Sequence, residues 1–554
     1  MKLWQYFRSL LPQAGDYAAL PRTWRADLMA GLTVGIVALP LALGFGVSSG
    51  AGAEAGIITA IVAGFIAAVF GGSNVQVSGP TGAMVVVLAP IVVTYGVEAV
   101  ALVSVMAGLI LLVTGMGRMG RAVSLIPWPV IEGFTLGIAT IIFLQQIPSV
   151  TAGAHVEGMS TNVVVAAVQS LGAIDPTYAL WALACVTIVA ASMILLPKLH
   201  EGIPASLVGI ALATLLTLLV PTPLAVIGEL PRSLPAPAIP YFDLNMLSTL
   251  LLPAITVAAL AGIESLLAIR VAASMSDTGP YEPDRELVGQ GLASIGAGLF
   301  GGMPATGAIA RTAVSLRAGA RTRLAAGFHS VVLLGIILFA AAPVGLVPLA
   351  ALGGVLMMTA IRMVRRHTAA AILRSTRADA AAFIVTALVT VSVDLIFAVI
   401  IGIIVAGFFA IRALSRATGV RREEIPGDYI DGDEKIALMR IRGPLFFASA
   451  DRILEEVTNQ EDVSVVILQM SQLELVDATG AHTLSEIVTR LERRGITVLI
   501  KGVLPIHTQL FSRVGVTGAL RHENHLFTEL GPALIHARSH IDRERKQLIP
   551  RSSQ

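Results

Sequence analysis

The chain has 554 residues, of which 55% are hydrophobic and only 13% are charged, and its formal net charge is +2. Soluble globular chains carry about 25% charged residues, so this composition excludes an ordinary soluble protein and indicates a polytopic membrane protein. The single cysteine, Cys185, excludes both a disulfide framework and a cysteine-based metal site.

The distribution of charge predicts five parts in chain order. Residues 1–25 form a basic amphiphilic segment that we place on the cytoplasmic side, and residues 26–416 are the transmembrane domain. A linker over 417–432 follows. Residues 433–545 have the composition of a soluble domain, and residues 546–554 are predicted to be a disordered tail.

Apolar stretches in the transmembrane part are long enough to cross about 30 Å of hydrocarbon. Two shorter stretches, 80–94 and 307–317, begin with glycine and proline and are too short to cross alone. We therefore predict fourteen segments, two of them half-length. The full-length segments lie near 26–46, 53–71, 97–117, 125–146, 177–196, 203–221, 247–270, 286–300, 324–343, 345–363, 378–393 and 395–413.

Positive charge in the loops predicts the orientation. Cytoplasmic loops hold the excess of Lys and Arg, and loop 147–176 has neither residue, whereas Arg362, Arg365 and Arg366 share another loop. This alternation fits an even number of crossings with both termini in the cytoplasm. We expect a multi-pass protein of the inner (plasma) membrane.

The carboxy-terminal part alternates strands with helices. Ile436–Ile441 and Val463–Met470 read as strands, Gly480–Arg493 as an amphipathic helix, and Thr497–Lys501 as another strand. This order predicts a small α/β domain. Because it follows a helix that ends inside, the domain is expected in the cytoplasm.

Two breaks in the apolar tract repeat each other. Phe70–Gly72 and Phe300–Gly302 both read FGG, and each is followed by a TGA step, at Thr81–Ala83 and at Thr306–Ala308. Broken segments at matching places in two halves of a membrane protein indicate a binding site built from half-helices. The alternative is a pair of interrupted helices packed for structural reasons.

Half-helix amino termini attract anions because they collect unpaired backbone N–H groups and about half a positive charge. Two such termini that face each other near the bilayer centre form an anion site without any catalytic side chain. The predicted substrate contacts at the two termini are Thr81, Gly82, Ala83, Gly307, Ala308 and Ile309.

Two charged residues lie inside apolar segments near this site. A charge at the membrane centre costs about 3 kcal/mol or more, so Arg311 is expected to face the anion, unless it extends to the cytoplasmic interface. Glu264 is the only acid in its segment and is predicted to carry the coupling ion; a structural pair with Arg311 is compatible with that role.

Other chemistry has no support in the sequence. No group of His, Asp and Glu residues has metal-ligand spacing, so no metal site is predicted. A nucleophile with a matching base and a phosphate-binding Walker loop are also missing from the sequence. The protein is therefore predicted to be neither an enzyme nor an ATP-driven pump, and to need no cofactor.

The chain resembles the sulfate permease (SulP) family of anion transporters over nearly its whole length. This resemblance implies a seven-plus-seven inverted repeat with core and gate domains, a cytoplasmic STAS domain, and homodimers. The stretches that carry it are Pro129–Ile138, Ile203–Ala205, Gln290–Pro304, Thr306–Thr312, Val391–Ile403 and Asp477–Gly480.

The first half is also similar to cyanobacterial sodium-dependent bicarbonate transporters, which Ala38–Gly56 matches almost throughout. Where those proteins carry a sodium-coordinating Asp and two Thr, this chain has Glu264, Ala268 and Ile309. The loss of oxygen ligands disfavours a hard cation and favours coupling to protons.

Three further positions take their interpretation from the family. Phe45 matches an aromatic residue near the substrate, and Leu41 stands where many relatives have Gln. Thr479 matches a position that related anti-sigma antagonist proteins phosphorylate; the alternative is a loop threonine without a regulatory role.

We therefore expect a secondary active anion transporter with an elevator-like motion, coupled to protons, with a sulfate-type oxyanion as first choice. The alternatives are a sodium-dependent bicarbonate symporter, a C4-dicarboxylate transporter, and an uncoupled anion channel or anion-gated sensor. No nucleic acid partner is expected.

Overall fold

The computed structural model describes residues 3–121, 126–151, 160, 162–200, 203–241, 243–275, 279, 281–393, 395–460 and 462–548. The chain forms two compact units, Met1–Ile404 and Val405–Gln554. The helices that begin in the first unit are α1 (Leu3–Ser9), α2 (Leu20–Ser48), α3 (Gly52–Phe70), α4 (Gly82–Tyr95), α5 (Glu98–Met116), α6 (Trp128–Thr151), α7 (Val163–Gly172), α8 (Pro176–Leu199), α9 (Ala205–Leu219), α10 (Leu244–Met275), α11 (Pro283–Leu299), α12 (Ile309–Arg317), α13 (Arg323–Gly345), α14 (Leu349–Met363), α15 (Arg366–Arg374), α16 (Arg377–Ser392) and α17 (Leu395–Ala417).

The predicted polytopic helical architecture is confirmed. Among the described helices, eight are long and apolar enough to cross a membrane. Each of the fourteen predicted segments overlaps one helix, with α4 and α12 as the two half-length ones. The short helices α1, α7 and α15 are additional.

Small residues let the helices of this unit approach closely. A Cβ on Gly108 of α5 would lie 2.6 Å from the carbonyl oxygen of Gly291 on α11, and one on Gly291 would lie 2.7 Å from that of Gly108. Close backbone approach at small residues drives helix association in membranes, where lipid offers no hydrophobic contrast. The α5–α11 crossing therefore depends on these facing glycines.

Two very short strands precede the half-helices. β1 (Ser78–Gly79) comes just before α4, and β2 (Thr306–Gly307) comes just before α12. They pair antiparallel although they are more than 200 residues apart in the chain. This pairing holds the two interrupted segments side by side inside the unit.

The second unit has a five-stranded sheet, ordered β3-β4-β5-β6-β7. β3 is antiparallel to β4, and the remaining neighbours are parallel. The strands are β3 (Gly419–Glu423), β4 (Ile436–Arg442), β5 (Val465–Gln472), β6 (Thr497–Lys501) and β7 (Leu526–Phe527), and the helices are α18 (Ala450–Thr458), α19 (Ala478–Arg493), α20 (Pro505–Val514), α21 (Val516–Ala519) and α22 (Leu530–Leu548).

The sheet packs against a hydrophobic core on each of its faces, because successive side chains of a strand point to opposite faces. One core packs the strands against α18, α19, α20 and α21, and the other packs them against α22. Leu438, Val465 and Ile467 face α22, while Met439 and Val466 face the opposite side. The predicted α/β domain is confirmed.

Three elements begin or end at residues that differ from the predicted boundaries. The helix that contains the first predicted span begins at Leu20, before the predicted start at 26, with Pro21 in its first turn, a position where proline is favoured. The predicted linker 417–432 contains β3, which extends the sheet by pairing with β4. The helix α22 continues to Leu548, past the predicted start of the tail at 546, and residues 549–554 lie outside the described part of the chain.

Candidate functional site

The pairing of β1 with β2 brings the amino termini of α4 and α12 together. Ser78 lies opposite Gly307, and Gly79 lies opposite Thr306. Thr81 is the residue before α4 and Ala308 is the residue before α12, both with extended backbone. The two predicted half-helices thus begin next to each other.

Three hydrogen bonds besides the strand pairing tie the half-helices together. Arg311 Nη2 donates to the carbonyl of Pro80 at 2.8 Å. The N–H of Val77 donates to Thr312 Oγ1 at 3.0 Å, and the N–H of Ala308 donates to the carbonyl of Val77 at 2.8 Å. Residues at the start of α12 therefore bind backbone atoms that lead into α4.

The available backbone amides differ in part from the predicted ones. The N–H of Gly307 donates to Ser265 Oγ at 2.9 Å, and that of Ala308 is bound to Val77, so these two amides are not offered to an anion. The first amides inside a helix lack intrahelical partners. In the two half-helices these are the N–H groups of Gly82, Ala83, Met84, Ile309, Ala310 and Arg311.

Arg311 is only 2% exposed, so its side chain does not extend to the surface. Its Nη1 atom is buried and has no hydrogen-bond partner among the described residues. A Cβ on Gly79 would lie 2.6 Å from that atom, so glycine at this position makes room for the guanidinium. The positively charged guanidinium of Arg311 therefore packs against the backbone of the turn that leads into α4.

Glu264 of α10 joins the same site. Its Oε2 accepts a hydrogen bond from Thr81 Oγ1 at 2.8 Å. Arg311 and Glu264 do not approach to the 4.0 Å that defines an ion pair, so the structure does not contain the direct pair considered as an alternative. A carboxyl group and a guanidinium group flank the half-helix termini separately.

Two apolar side chains cover the start of α4. A Cβ on Gly82 would lie 2.1 Å from Ile142 Cδ1 of α6 and 3.4 Å from Phe45 Cε1 of α2. Phe45, which the family resemblance predicts near the substrate, thus lies close to the predicted anion-binding turn; its role in binding stays a prediction. Ile142 gives no signal in the sequence, because it is one apolar residue in an apolar helix.

Two of the three positions compared with sodium ligands are apolar. Ala268 is fully buried, and its Cβ would lie 3.2 Å from a Cβ on Gly307. Ile309 is the first residue of α12. Neither side chain carries an oxygen. Leu41 is likewise buried in the apolar core.

A buried carboxylate that the sequence did not single out positions the loop before β1. Glu286 of α11, 1% exposed, accepts hydrogen bonds from the N–H of Gly72 and from Gln76 Nε2, each at 2.8 Å, and from Gln290 Nε2 at 2.9 Å. Gln290 Nε2 also donates to Ser78 Oγ of β1 at 2.6 Å. Glu286 reads as an ordinary residue in the first turn of a helix, so only its three-dimensional partners show this role.

An apolar cavity of about 350 Å³ lies elsewhere in the unit, between α2, α9 and α13. Leu39, Leu43, Ile210 and Val344 are among its lining residues. Its wall carries no charged group and none of the free helix amides, so this cavity is unsuited to hold an anion.

The carboxy-terminal unit holds two features of interest. Thr479 is exposed in the first turn of α19, where the side chain of Asp477 accepts a hydrogen bond from the N–H of Gly480 at 2.7 Å. The spacing of residues in the sequence predicts no metal site, yet the fold places ligand atoms of His525, His536 and His540 within 4.8 Å of one another.

Comparisons with known proteins cover both units. The model of the sulfate permease family matches residues 24–386, and that of the STAS domain matches residues 430–532. The putative sulfate transporter YvdB of Bacillus subtilis is 35% identical over 89% of this chain and 94% of its own. The bicarbonate transporter BicA of Picosynechococcus is 30% identical over 84% of this chain and 86% of its own.

Two solved structures of anion transporters are also similar to this chain. The transmembrane domain of a cyanobacterial bicarbonate transporter BicA superposes with a TM-score of 0.59 and 31% identity, over 70% of this chain and 97% of that one. Murine Slc26a9, an anion transporter in the inward-facing state, superposes with a TM-score of 0.83 over 97% of this chain and 95% of that one. At 16% identity, the second likeness shows the fold alone.

We predict that Gly307→Ala lowers the apparent melting temperature of the purified protein. The new Cβ would lie 1.7 Å from Gln76 Nε2, and moving that amide breaks its hydrogen bond to buried Glu286. Overpacking of this kind costs about 1–3 kcal/mol. Gly335→Ala in α13 is the matched control, since nothing lies within 4 Å of its Cβ position. Equal melting temperatures for the two variants would contradict the proposed close contact.

Proposed function

The chain belongs to the sulfate permease family, and we propose that it is a proton-coupled secondary active transporter of a small anion, with a sulfate-type oxyanion as the first substrate. The observation that carries the proposal is the meeting of two half-helix amino termini, locked by the β1–β2 pairing. Unpaired amides and two helix dipoles favour negative charge at that point.

The substrate class follows from the donors. The free amides at the starts of α4 and α12 recognise charge and size, and the guanidinium of Arg311 adds a charge that suits an oxyanion. Phe45 and Ile142 cover the α4 terminus and would exclude water around the bound anion. Such a site selects small anions without a dedicated hydrogen-bonding side chain for each oxygen.

Proton coupling rests on the place of Glu264. An ionised carboxylate beside the half-helix termini repels an incoming anion: two unit charges about 6 Å apart repel by about 3 kcal/mol at an effective dielectric constant of about 20. Protonation removes that repulsion, so each ligand raises the affinity for the other. The side chains of Ala268 and Ile309 offer no oxygen ligand to a hard cation, which supports protons over sodium.

Transport requires the site to open to each side in turn. The contact of Ile142 on α6 with Gly82 on α4 joins the anion-binding turn to a neighbouring helix, and we propose that it breaks when a core domain moves against a gate domain in an elevator-like motion. The family resemblance supports this motion and a homodimeric assembly. The loop charges support cytoplasmic termini in an inner membrane.

A sodium-dependent bicarbonate symporter is the second candidate. It is favoured by the similarity of Ala38–Gly56 to bicarbonate transporters and by the 30% identity to BicA. The substitutions at the sodium-ligand positions favour the proton-coupled proposal over it.

Uptake by proteoliposomes tests the proposed function. Radiolabelled sulfate, bicarbonate and fumarate are offered in parallel, with an inward proton gradient, with a sodium gradient, and with neither. We expect sulfate to accumulate above equilibrium only with the proton gradient. Sodium-driven bicarbonate uptake would establish the second candidate, fumarate uptake a dicarboxylate carrier, and flux that never exceeds equilibrium a channel.

Glu264→Gln is expected to abolish accumulation driven by the proton gradient while leaving anion binding measurable, because the amide cannot release a proton but can still meet Thr81. Binding is measured by isothermal calorimetry, and its pH dependence should flatten. The control is Glu98→Gln, which removes an exposed acid at the start of α5. Unchanged pH dependence in Glu264→Gln would refute the coupling role.

Arg311→Ala is expected to weaken anion binding by about 1.5 kcal/mol or more, the value of a hydrogen bond to a charged group. Arg311→Lys should lose less, because it keeps the charge but not the planar fork. Arg317→Ala, at the exposed end of the same helix, is the control. Equal affinity of Arg311→Ala and wild type would place the guanidinium outside the site.

A further inference from the structure

Four histidines gather at one edge of the carboxy-terminal sheet. His522 and His525 precede β7, and His536 and His540 lie one turn apart on α22. The rings of His525 and His536 have centroids 5.3 Å apart, those of His525 and His540 5.6 Å, and those of His536 and His540 4.9 Å. The transport mechanism uses none of them.

We propose that His525, His536 and His540 form a site for a divalent transition metal, with Zn²⁺ as the best fit, that fastens α22 to the β7 edge of the sheet. Imidazole nitrogen suits Zn²⁺, Ni²⁺ and Cu²⁺, whereas Mg²⁺ and Ca²⁺ require oxygen. The partly exposed rings of His536 and His540 leave the fourth coordination position to water.

The spacing of the two helix ligands fits a tetrahedral ion. His536 Nε2 and His540 Nε2 face each other at 3.3 Å. A Zn–N bond of about 2.05 Å and a tetrahedral angle place two ligand nitrogens about 3.3 Å apart. Side chains four residues apart on a helix share one face, so α22 presents the pair without distortion.

The third ligand atom is available. The Nδ1 atom of His525 is buried without any hydrogen-bond partner among the described residues. A neutral imidazole nitrogen of this kind can bind a metal ion.

The orphaned nitrogen needs an explanation, since a buried polar atom without a partner costs about 1–3 kcal/mol. A metal ion bound to Nδ1 would supply the missing partner, and neutral imidazole is the form that binds it.

The test uses the full-length protein in detergent, with any affinity tag removed and metals stripped by a chelator. Zn²⁺ is titrated by calorimetry, and bound metal is counted by mass spectrometry after gel filtration. We expect one Zn²⁺ per chain, with Mg²⁺ not competing. His536→Gln/His540→Gln should weaken binding by more than about 100-fold, because even the outer partners of metal ligands are worth about 10–100-fold. His367→Gln/His482→Gln, which removes two exposed histidines elsewhere, is the matched control and should bind as wild type.

A second measurement keeps the proposal testable if the double variant fails to fold. Co²⁺ added to the stripped wild-type protein should give the intense visible absorption of a four-coordinate ion, and Zn²⁺ should remove it. Zn²⁺ should also slow hydrogen exchange in α22. Wild-type protein without stoichiometric binding, a six-coordinate Co²⁺ spectrum, or equal affinity in the two double variants would each overturn the proposal.

Discussion

The antiparallel pairing of β1 with β2 is the contact on which the transport unit depends. Two residues from each half of the chain pair as strands, and this pairing places the starts of α4 and α12 next to each other. Interrupted helices inside a membrane leave backbone groups that must find partners in protein. Here those partners come from the opposite half, through the Arg311–Pro80 and Val77–Thr312 bonds, so the breaks are stabilised by each other.

The buried charged residues around this contact have two kinds of role. Glu286 positions a loop, whereas Glu264 and Arg311 are proposed to act in transport. Glu286 holds the loop before β1 by accepting hydrogen bonds from N–H groups of Gly72, Gln76 and Gln290. These three donors satisfy both oxygens of its carboxylate. Glu264 instead accepts a hydrogen bond from a hydroxyl group, and Nη1 of Arg311 has no hydrogen-bond partner among the described residues. A fully satisfied carboxylate is suited to a fixed structural role, whereas partly satisfied groups near the helix termini can exchange a proton or meet an anion.

The carboxy-terminal unit follows the same physical rule at a different place. At the start of α19 the N–H of Gly480 donates to Asp477, but Nδ1 of His525, within a cluster of imidazoles, has no hydrogen-bond partner among the described residues. A buried ring nitrogen without a partner supports the proposed metal ligand. A metal there would bind α22, which packs on one face of the sheet, to the edge strand β7.

The sequence by itself determined the number of segments, the two broken helices and the carboxy-terminal α/β domain. Each depends on hydropathy, period or glycine and proline, which are properties of neighbours in the chain. It also pointed to Arg311 and Glu264, because a charge in an apolar segment is conspicuous. Thr479 and the oligomeric state remain predictions.

Only the tertiary structure decided which amides stay free and which side chains converge. Gly307 and Ala308 lost their predicted role because Ser265 and Val77 take their N–H groups. Ile142 and the histidine cluster were invisible for a related reason: their significance comes from residues distant in the chain. Sequence periodicity describes only residues that are close along the same helix or strand. A functional site is formed by residues that are distant in the chain, and no local sequence pattern predicts their contacts.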